Sequence, residues 1–160
     1  LSLVLEEDYN LNAQIKWPND VLINGKKIAG ILSEGTTKGT EFLGLALGLG
    51  VNLNTNPETL AKIDKPATSI FAETGVKIDK EDFLKKLSNK FCLLYDNFIK
   101  DGFLSVKNMY VERAFFLNKE ITINVLGDIH TGLAEGITND GSLILNENNE
   151  KNIYYIGDIL

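Results

Sequence analysis

A single cysteine, Cys92, stands in this sequence, so no disulfide can close within the chain. Flanked by Phe91 and Leu93 in a helical pattern, it reads as a small buried hydrophobe. One histidine, His130, leaves no metal-spaced Cys/His group and no Ser/His/Asp set; its place beside Asp128 suggests a surface role. Neither a Walker loop nor a GxGxxG is present, so hydrolase, zinc and dinucleotide readings have no residues to rest on. No apolar run approaches the roughly 18 to 20 residues that cross a bilayer, and a membrane partner is not expected. Positive charge is also scarce. Lys and Arg number 16 against 22 Asp and Glu, a net charge of -6, which argues against broad phosphate-backbone contact and hence against nucleic acid as a partner. Leu1 to Leu5 lack a basic leader and run straight into Glu6, Glu7 and Asp8. No signal peptide is expected, and the cytoplasm is the default location. The first residue is not Met, and LSLVLEED reads as the end of a helix, so a truncation is expected.

What the chain does contain is ordinary globular composition: 44% apolar and 24% charged over 160 residues, enough for at most two compact units. From Asn12 to Asn54 the pattern is an antiparallel meander. Ala13 to Trp17 is a short mixture of apolar and polar residues ending at Pro18, and Val21 to Ile23 reads as a strand. Asn24-Gly25 is the dipeptide of a tight type I′ turn, and Lys26 to Glu34 is the return strand. A turn-rich stretch, Gly35 to Gly39, leads to a strand from Phe42 to Leu53. There Gly44, Gly48 and Gly50 suggest bulges or a surface that a ligand approaches closely.

After Pro57 and Pro66 the apolar period lengthens. Thr68 can cap a short helix ending at Gly75. Asp79 can cap a long one whose Phe83, Leu87, Phe91, Leu94 and Phe98 read as a core stripe. Asp101-Gly102 stops it, and a further helix covers Leu104 to Arg113. From Asn118 the period returns to two, with turns at Gly127-Asp128, at Asn139 to Gly141 and at Asn148-Asn149, the close spacing of a small β-barrel. The expected class is α+β, with units at 1–117 and 118–160.

Three segments carry more. Lys16-Trp17-Pro18-Asn19-Asp20, then Lys27 to Leu32 (KIAGIL), then Gly48 to Asn54 (GLGVNLN), fall in the order and spacing of biotin protein ligases, and the chain resembles their C-terminal two thirds. The resemblance implies the latter part of a class II aminoacyl-tRNA synthetase-like catalytic domain with packed helices on an antiparallel or mixed sheet, followed by an SH3-like barrel. It implies a ligase that takes ATP, biotin and Mg²⁺. Biotin is activated as biotinyl-5′-AMP and passed to a lysine of a biotin carboxyl carrier domain of a carboxylase; a homodimer is possible. By position, Lys27 matches the lysine that reaches the α-phosphate and the biotin carboxyl, the expected catalytic residue. Gly30, Leu32, Gly48 and Val51 match the biotin pocket, where glycine lets a bicyclic ring lie against the backbone. Lys16, Asn19, Asp20, Ile31 and Asn52 match nucleotide positions, the amides suiting a purine edge because they donate and accept at once. Asp20 either binds Mg²⁺ or acts as a counter-ion to Lys16 and Lys27. Trp17 reads as a packing residue.

The sequence also departs from that pattern. A Ser-Thr-Asn type motif and a GRGRxGRxW loop precede KWPND in the family, and neither is among these residues. The loop supplies arginines and a lid, so the chain by itself is expected to be inactive. A non-catalytic biotin- or nucleotide-binding module, or a lipoate ligase-like protein, is the alternative.

Overall fold

The computed structural model describes all residues 1–160. It opens with helix α1 (Ser2–Tyr9), which Asn10 ends in the left-handed conformation. Four strands follow as one antiparallel sheet in chain order: β1 (Ala13–Lys16), β2 (Asp20–Ile23), β3 (Lys26–Lys38) and β4 (Glu41–Val51). Asn24 and Gly25 both hold positive φ, 51° and 74°. That is the type I′ geometry whose twist matches the strands it joins, and it fixes the register that sets Ile23 against Lys26. The return strand is longer than its sequence suggests: Gly35 to Lys38 stay in β3, paired with Leu45 to Glu41, and the chain turns only at Gly39. The two threonines are β-branched and suit a pleated surface, and a bulge between Thr36 and Thr37 absorbs the irregularity.

Helices α2 (Pro57–Leu60), α3 (Ile70–Thr74), α4 (Lys80–Asp101) and α5 (Leu104–Arg113) cross to a second sheet. Ser69, not Thr68, caps α3: its hydroxyl accepts from the Ala72 N–H at 2.9 Å, while the buried Thr68 hydroxyl donates to Glu73. Asp79 caps α4 as expected, accepting from the N–H groups of Glu81 and Asp82.

The stripe on α4 is core only at its start. Phe83 is buried and Leu87 half-buried, but Phe91 and Phe98 are exposed, and so is Cys92, contrary to the sequence reading. Twenty-two residues make a helix of about 33 Å at 1.5 Å per residue. Its partner α1 has eight. The contacts between them end with the Lys86–Asp8 and Lys90–Glu7 ion pairs, so the outer half of α4 has nothing from α1 to cover it.

The second sheet runs β8 (Glu150–Tyr154), β7 (Leu143–Glu147), β6 (Asp128–Ile137), β5 (Glu120–Val125), β9 (Asp158–Ile159), all antiparallel. The last stretch divides into two strands because positive φ at Gly157 breaks the extended backbone, and β9 returns to the far side of β5. Each sheet has its own core. Val4, Leu5, Val21, Ile23, Ile28, Ile70 and Phe83 fill the first; Trp17, Phe116, Ile123, Leu143, Leu145 and Ile159 are among those that fill the second. Trp17 is therefore a packing residue. It is 3% exposed, belongs to the core of the other sheet, and its indole N–H donates to the Gly141 carbonyl at 3.2 Å. An Ile15–Ala114 bridge joins the same two parts.

Candidate functional site

The meander brings the two halves of the sequence motif face to face. Antiparallel pairing of β2 with β3 sets Asp20 opposite Gly30, and the Asp20 carboxylate lies 2.6 Å from the Lys27 ammonium. Gly30 leaves room for this: a Cβ there would meet Lys27 Nζ at 3.1 Å and Cε at 3.2 Å. The pair is partly exposed, 46% for Lys27 and 21% for Asp20, and such pairs contribute about 0 to 1 kcal/mol. Its importance lies in position: it holds a cation at a fixed place on the sheet.

On one side of that cation is a cleft of about 410 Å³ bounded by Asn19, Gly30, Ile31, Leu32 and Gly48. Gly48 stands opposite Leu32 and Gly50 opposite Gly30 across β3 and β4. A Cβ at Gly48 would meet nothing closer than the Leu32 carbonyl at 3.6 Å, so the missing side chain is open floor. Asn19 forms the rim; its amide donates to the Ile31 carbonyl at 2.8 Å, and its own carbonyl accepts the Ile31 N–H at 3.0 Å.

A second, larger cleft of about 860 Å³ opens on the other side of the same pair, between the two sheets. Lys16 lines it, opposite Asp20 in the β1–β2 register. Two further lysines, Lys65 and Lys119, line it as well. Sequence reasoning missed both, because one lies in a loop and the other at the start of the second sheet, far along the chain from the motif.

Two residues matched by the motif lie outside both clefts. Val51 pairs with Ala29 and packs on the first core, lining an apolar groove against α4. Asn52 uses its amide within the protein, donating to the Thr68 carbonyl at 3.0 Å. This bond and those from Ile70 and Phe71 to the carbonyls of Asn52 and Leu53 anchor α3. The chain's one arginine, Arg113, is held at α1 by Glu6 at 2.6 and 2.8 Å, so the cations of the clefts are lysines.

Residues 4–52 match the model of the biotin/lipoate A/B protein ligase family, and residues 116–160 match the biotin protein ligase C terminal domain. This places the chain among ligases of the biotin and lipoate type. It is 38% identical over 133 residues to a biotin--[acetyl-CoA-carboxylase] ligase of Paracoccus denitrificans, covering 82% of this chain and 55% of that protein. To the bifunctional ligase/repressor BirA of Bacillus subtilis it is 31% identical over 156 residues, covering 97% of this chain and 48% of that protein. The chain thus spans about half the length of these relatives. The biotin protein ligase of Aquifex aeolicus superposes on 99% of the chain with a TM-score of 0.85 at 25% identity, over 69% of its own length. The same protein solved in complex with biotin and ATP gives 0.83, again at 25% identity, over 99% of this chain and 66% of its own. The chain belongs to the biotin protein ligase family.

Proposed function

We propose that this chain forms part of the site at which biotin is activated by ATP and passed to a lysine of a carrier domain, residues 1–117 belonging to the catalytic unit and 118–160 to the C-terminal one. One observation carries the reading: the Lys27 ammonium is fixed by Asp20 over glycine and beside the glycine-floored cleft. A carboxylate at the end of an apolar ligand in that cleft would reach this ammonium. Attack of a carboxylate oxygen on the α-phosphate builds negative charge at phosphorus and at the leaving oxygen, and a cation already held there lowers the barrier without reorganisation. In the second step the carrier amine attacks the carbonyl of the mixed anhydride and AMP leaves. Gly30, Leu32 and Gly48 would line the biotin ring, while Asn19, Ile31, Asp20 and Lys16 would face the nucleotide.

Mg²⁺ fits this site only in company. No group of three or more His, Cys, Asp or Glu is placed to hold a metal, but a nucleotide-borne Mg²⁺ needs only one or two carboxylates besides its phosphates. Asp20 can supply one while its Oδ1 steadies Lys27.

The test is equilibrium dialysis of residues 1–160 with labelled biotin, with lipoate as competitor, followed by Mg-ATP and a biotin carrier domain with mass spectrometry of the products. Saturable biotin binding that lipoate does not displace, with turnover far below that of a complete ligase, is the expected result. Absence of biotin binding overturns the reading. A second reading, a non-catalytic biotin-binding module, is favoured by the engagement of the sole arginine at Glu6 rather than in the clefts; biotin bound with no adenylate formed at all would select it.

A further inference from the structure

We propose that Glu73 is a positioning residue for Lys27: through Thr68 and Asn24 it holds the segments that fix a β-bulge, and the bulge aims the Lys27 ammonium at Asp20 and the glycine-floored cleft. The proposal rests on the biotin-activating reading of Lys27. Its starting point is a break in register. Val21 stands opposite Ala29 but Leu22 stands opposite Lys27, so Ile28 is an extra residue that β2 leaves unmatched. Successive residues of a regular strand face opposite sides, which would put Lys27 on the face of Ala29 and away from Gly30. The face of Ala29 is the first core. Instead the Lys27 ammonium lies 3.1 Å from the place of a Gly30 Cβ, while Ile28 and Ala29, though consecutive, are both buried in that core. The bulge thus turns Lys27 out of the core and onto the side of Asp20 and Gly30. Bulges recur beside active sites for this re-aiming of a side chain.

What holds the bulge lies outside the four-stranded ladder. β4 ends at Val51, opposite Ala29, and beyond it the segment 66–68 takes its place, with Ala67 bridged in parallel to Lys27. The Lys27 N–H donates to the Pro66 carbonyl and the Lys27 carbonyl accepts the Thr68 N–H, both at 2.9 Å. Both backbone polar groups of Lys27 are therefore engaged by a loop. Side chains hold that loop in turn. Thr68 is buried; its carbonyl accepts the Asn52 amide at 3.0 Å, and its hydroxyl donates to Glu73 Oε1 at 2.5 Å. The other carboxylate oxygen, Oε2, accepts the Asn24 amide at 3.1 Å. Asn24 belongs to the positive-φ turn from which β3 departs. One carboxylate on α3 therefore ties the turn before Lys27 to the loop beside it.

Glu73 lines neither cleft beside Lys27. It borders a separate cavity of about 440 Å³ with Lys26, Ala67 and Thr68, so it reaches the Lys27 ammonium only through backbone. Without its two contacts the loop and the turn are no longer joined, and the bulge between them loses its frame. A group aimed at developing charge gives up roughly a hundredfold in rate when it is misplaced by about 1 Å.

The experiment compares Glu73→Ala, Thr68→Val and Thr68→Ser in residues 1–160 with Glu150→Ala, which removes an exposed carboxylate from the second sheet. Thr68→Val keeps the shape and loses the hydroxyl, whereas Thr68→Ser keeps the hydroxyl. NMR reads the amide exchange of Lys27 and the correlation between its Cε and Nζ. The expected result is Lys27 amide exchange faster by about tenfold or more, with a shifted side-chain signal, in Glu73→Ala and Thr68→Val. Thr68→Ser and Glu150→Ala should keep the parent's values. Lys27 signals that stay unchanged in Glu73→Ala and Thr68→Val overturn the proposal. So does faster exchange spread evenly over both sheets, which marks general destabilisation. The same substitutions, carried in a ligase of the relatives' full length, should slow pyrophosphate release at saturating biotin and ATP by about tenfold or more, with KM for both substrates within about twofold and with Thr68→Ser restoring the rate. If the Lys27 signals move while that rate does not, Glu73 still positions Lys27, and the biotin-activating reading of Lys27 falls.

Discussion

The Lys27 ammonium sits 2.6 Å from an Asp20 carboxylate oxygen and 3.1 Å from the point where a Gly30 Cβ would be. Cation, counter-ion and missing side chain thus form one unit, and each can be tested against the others.

Replacing Lys27 by Ala is expected to slow adenylation by roughly 100- to 1,000-fold, the usual cost, about 2.7 to 4 kcal/mol, of losing one group aimed at developing charge. The measurement is pyrophosphate release at saturating biotin and ATP, with these residues and the substitution carried in a ligase of the relatives' full length. Gly30→Ala should act in the same direction but more weakly, by displacing the ammonium. If the Lys27→Ala rate stays within twofold of the parent, Lys27 has no such role.

Gly48→Val should weaken biotin binding by about tenfold or more while the fold stays cooperative. A β-branched residue suits a strand, and the nearest backbone atom is 3.6 Å from its Cβ, so the side chain fills cleft rather than core. Unchanged biotin affinity by calorimetry would make Gly48 a residue of the sheet alone.

Local signals were legible where a short segment determines the outcome. Asn24-Gly25 demanded positive φ and made the hairpin; Asp79 and Gly102 bounded α4. The resemblance carried by KWPND and KIAGIL left Asp20 as either a Mg²⁺ ligand or a counter-ion to Lys16 and Lys27, and the β2–β3 register sets it against Lys27. Properties set by distant partners were not legible. The burial of Phe91, Phe98 and Cys92 depends on what covers α4, and periodicity records only that a helix has an apolar face. Thr68 and Ser69 are adjacent residues of capping type, and in the fold Ser69 accepts from the Ala72 N–H while the Thr68 hydroxyl donates to Glu73. Lys65 and Lys119 meet only through the packing of the two sheets.

Phe116, 1% exposed in the core of the second sheet, should cost about 3 to 5 kcal/mol when cut to Ala. Trp17 lies in the same core and is the chain's only tryptophan, so its fluorescence reports that core directly. Urea unfolding of Phe116→Ala followed by that signal is expected to shift to markedly lower denaturant. An unfolding free energy within about 1 kcal/mol of the parent's would mean that Phe116 does not anchor the second sheet.

On β7 the Glu147 carboxylate is partly desolvated, which raises its pKa, but it accepts from Tyr154 at 2.5 Å, from Asn152 at 2.8 Å and lies 3.2 Å from His130 Nδ1, and these hold it below the usual 4.5. The same arrangement pushes the Tyr154 hydroxyl up to about 12, through burial first and the neighbouring carboxylate second. A carboxyl whose folded pKa is depressed binds fewer protons folded than unfolded. Its contribution is therefore fully present above pH 4.5 and is lost as pH falls through the lower folded value. Glu147→Gln cannot titrate, so its stability should be lower than the parent's at pH 7, with the gap closing as pH falls below 4.5 through the depressed folded value. Glu135 and Asp140 are also held low, but they are present in both proteins and cancel in the difference. Urea midpoints of parent and variant at half-unit pH steps measure it, and a gap independent of pH across that window would show that the Tyr154, Asn152 and His130 contacts do not favour the charged form of Glu147.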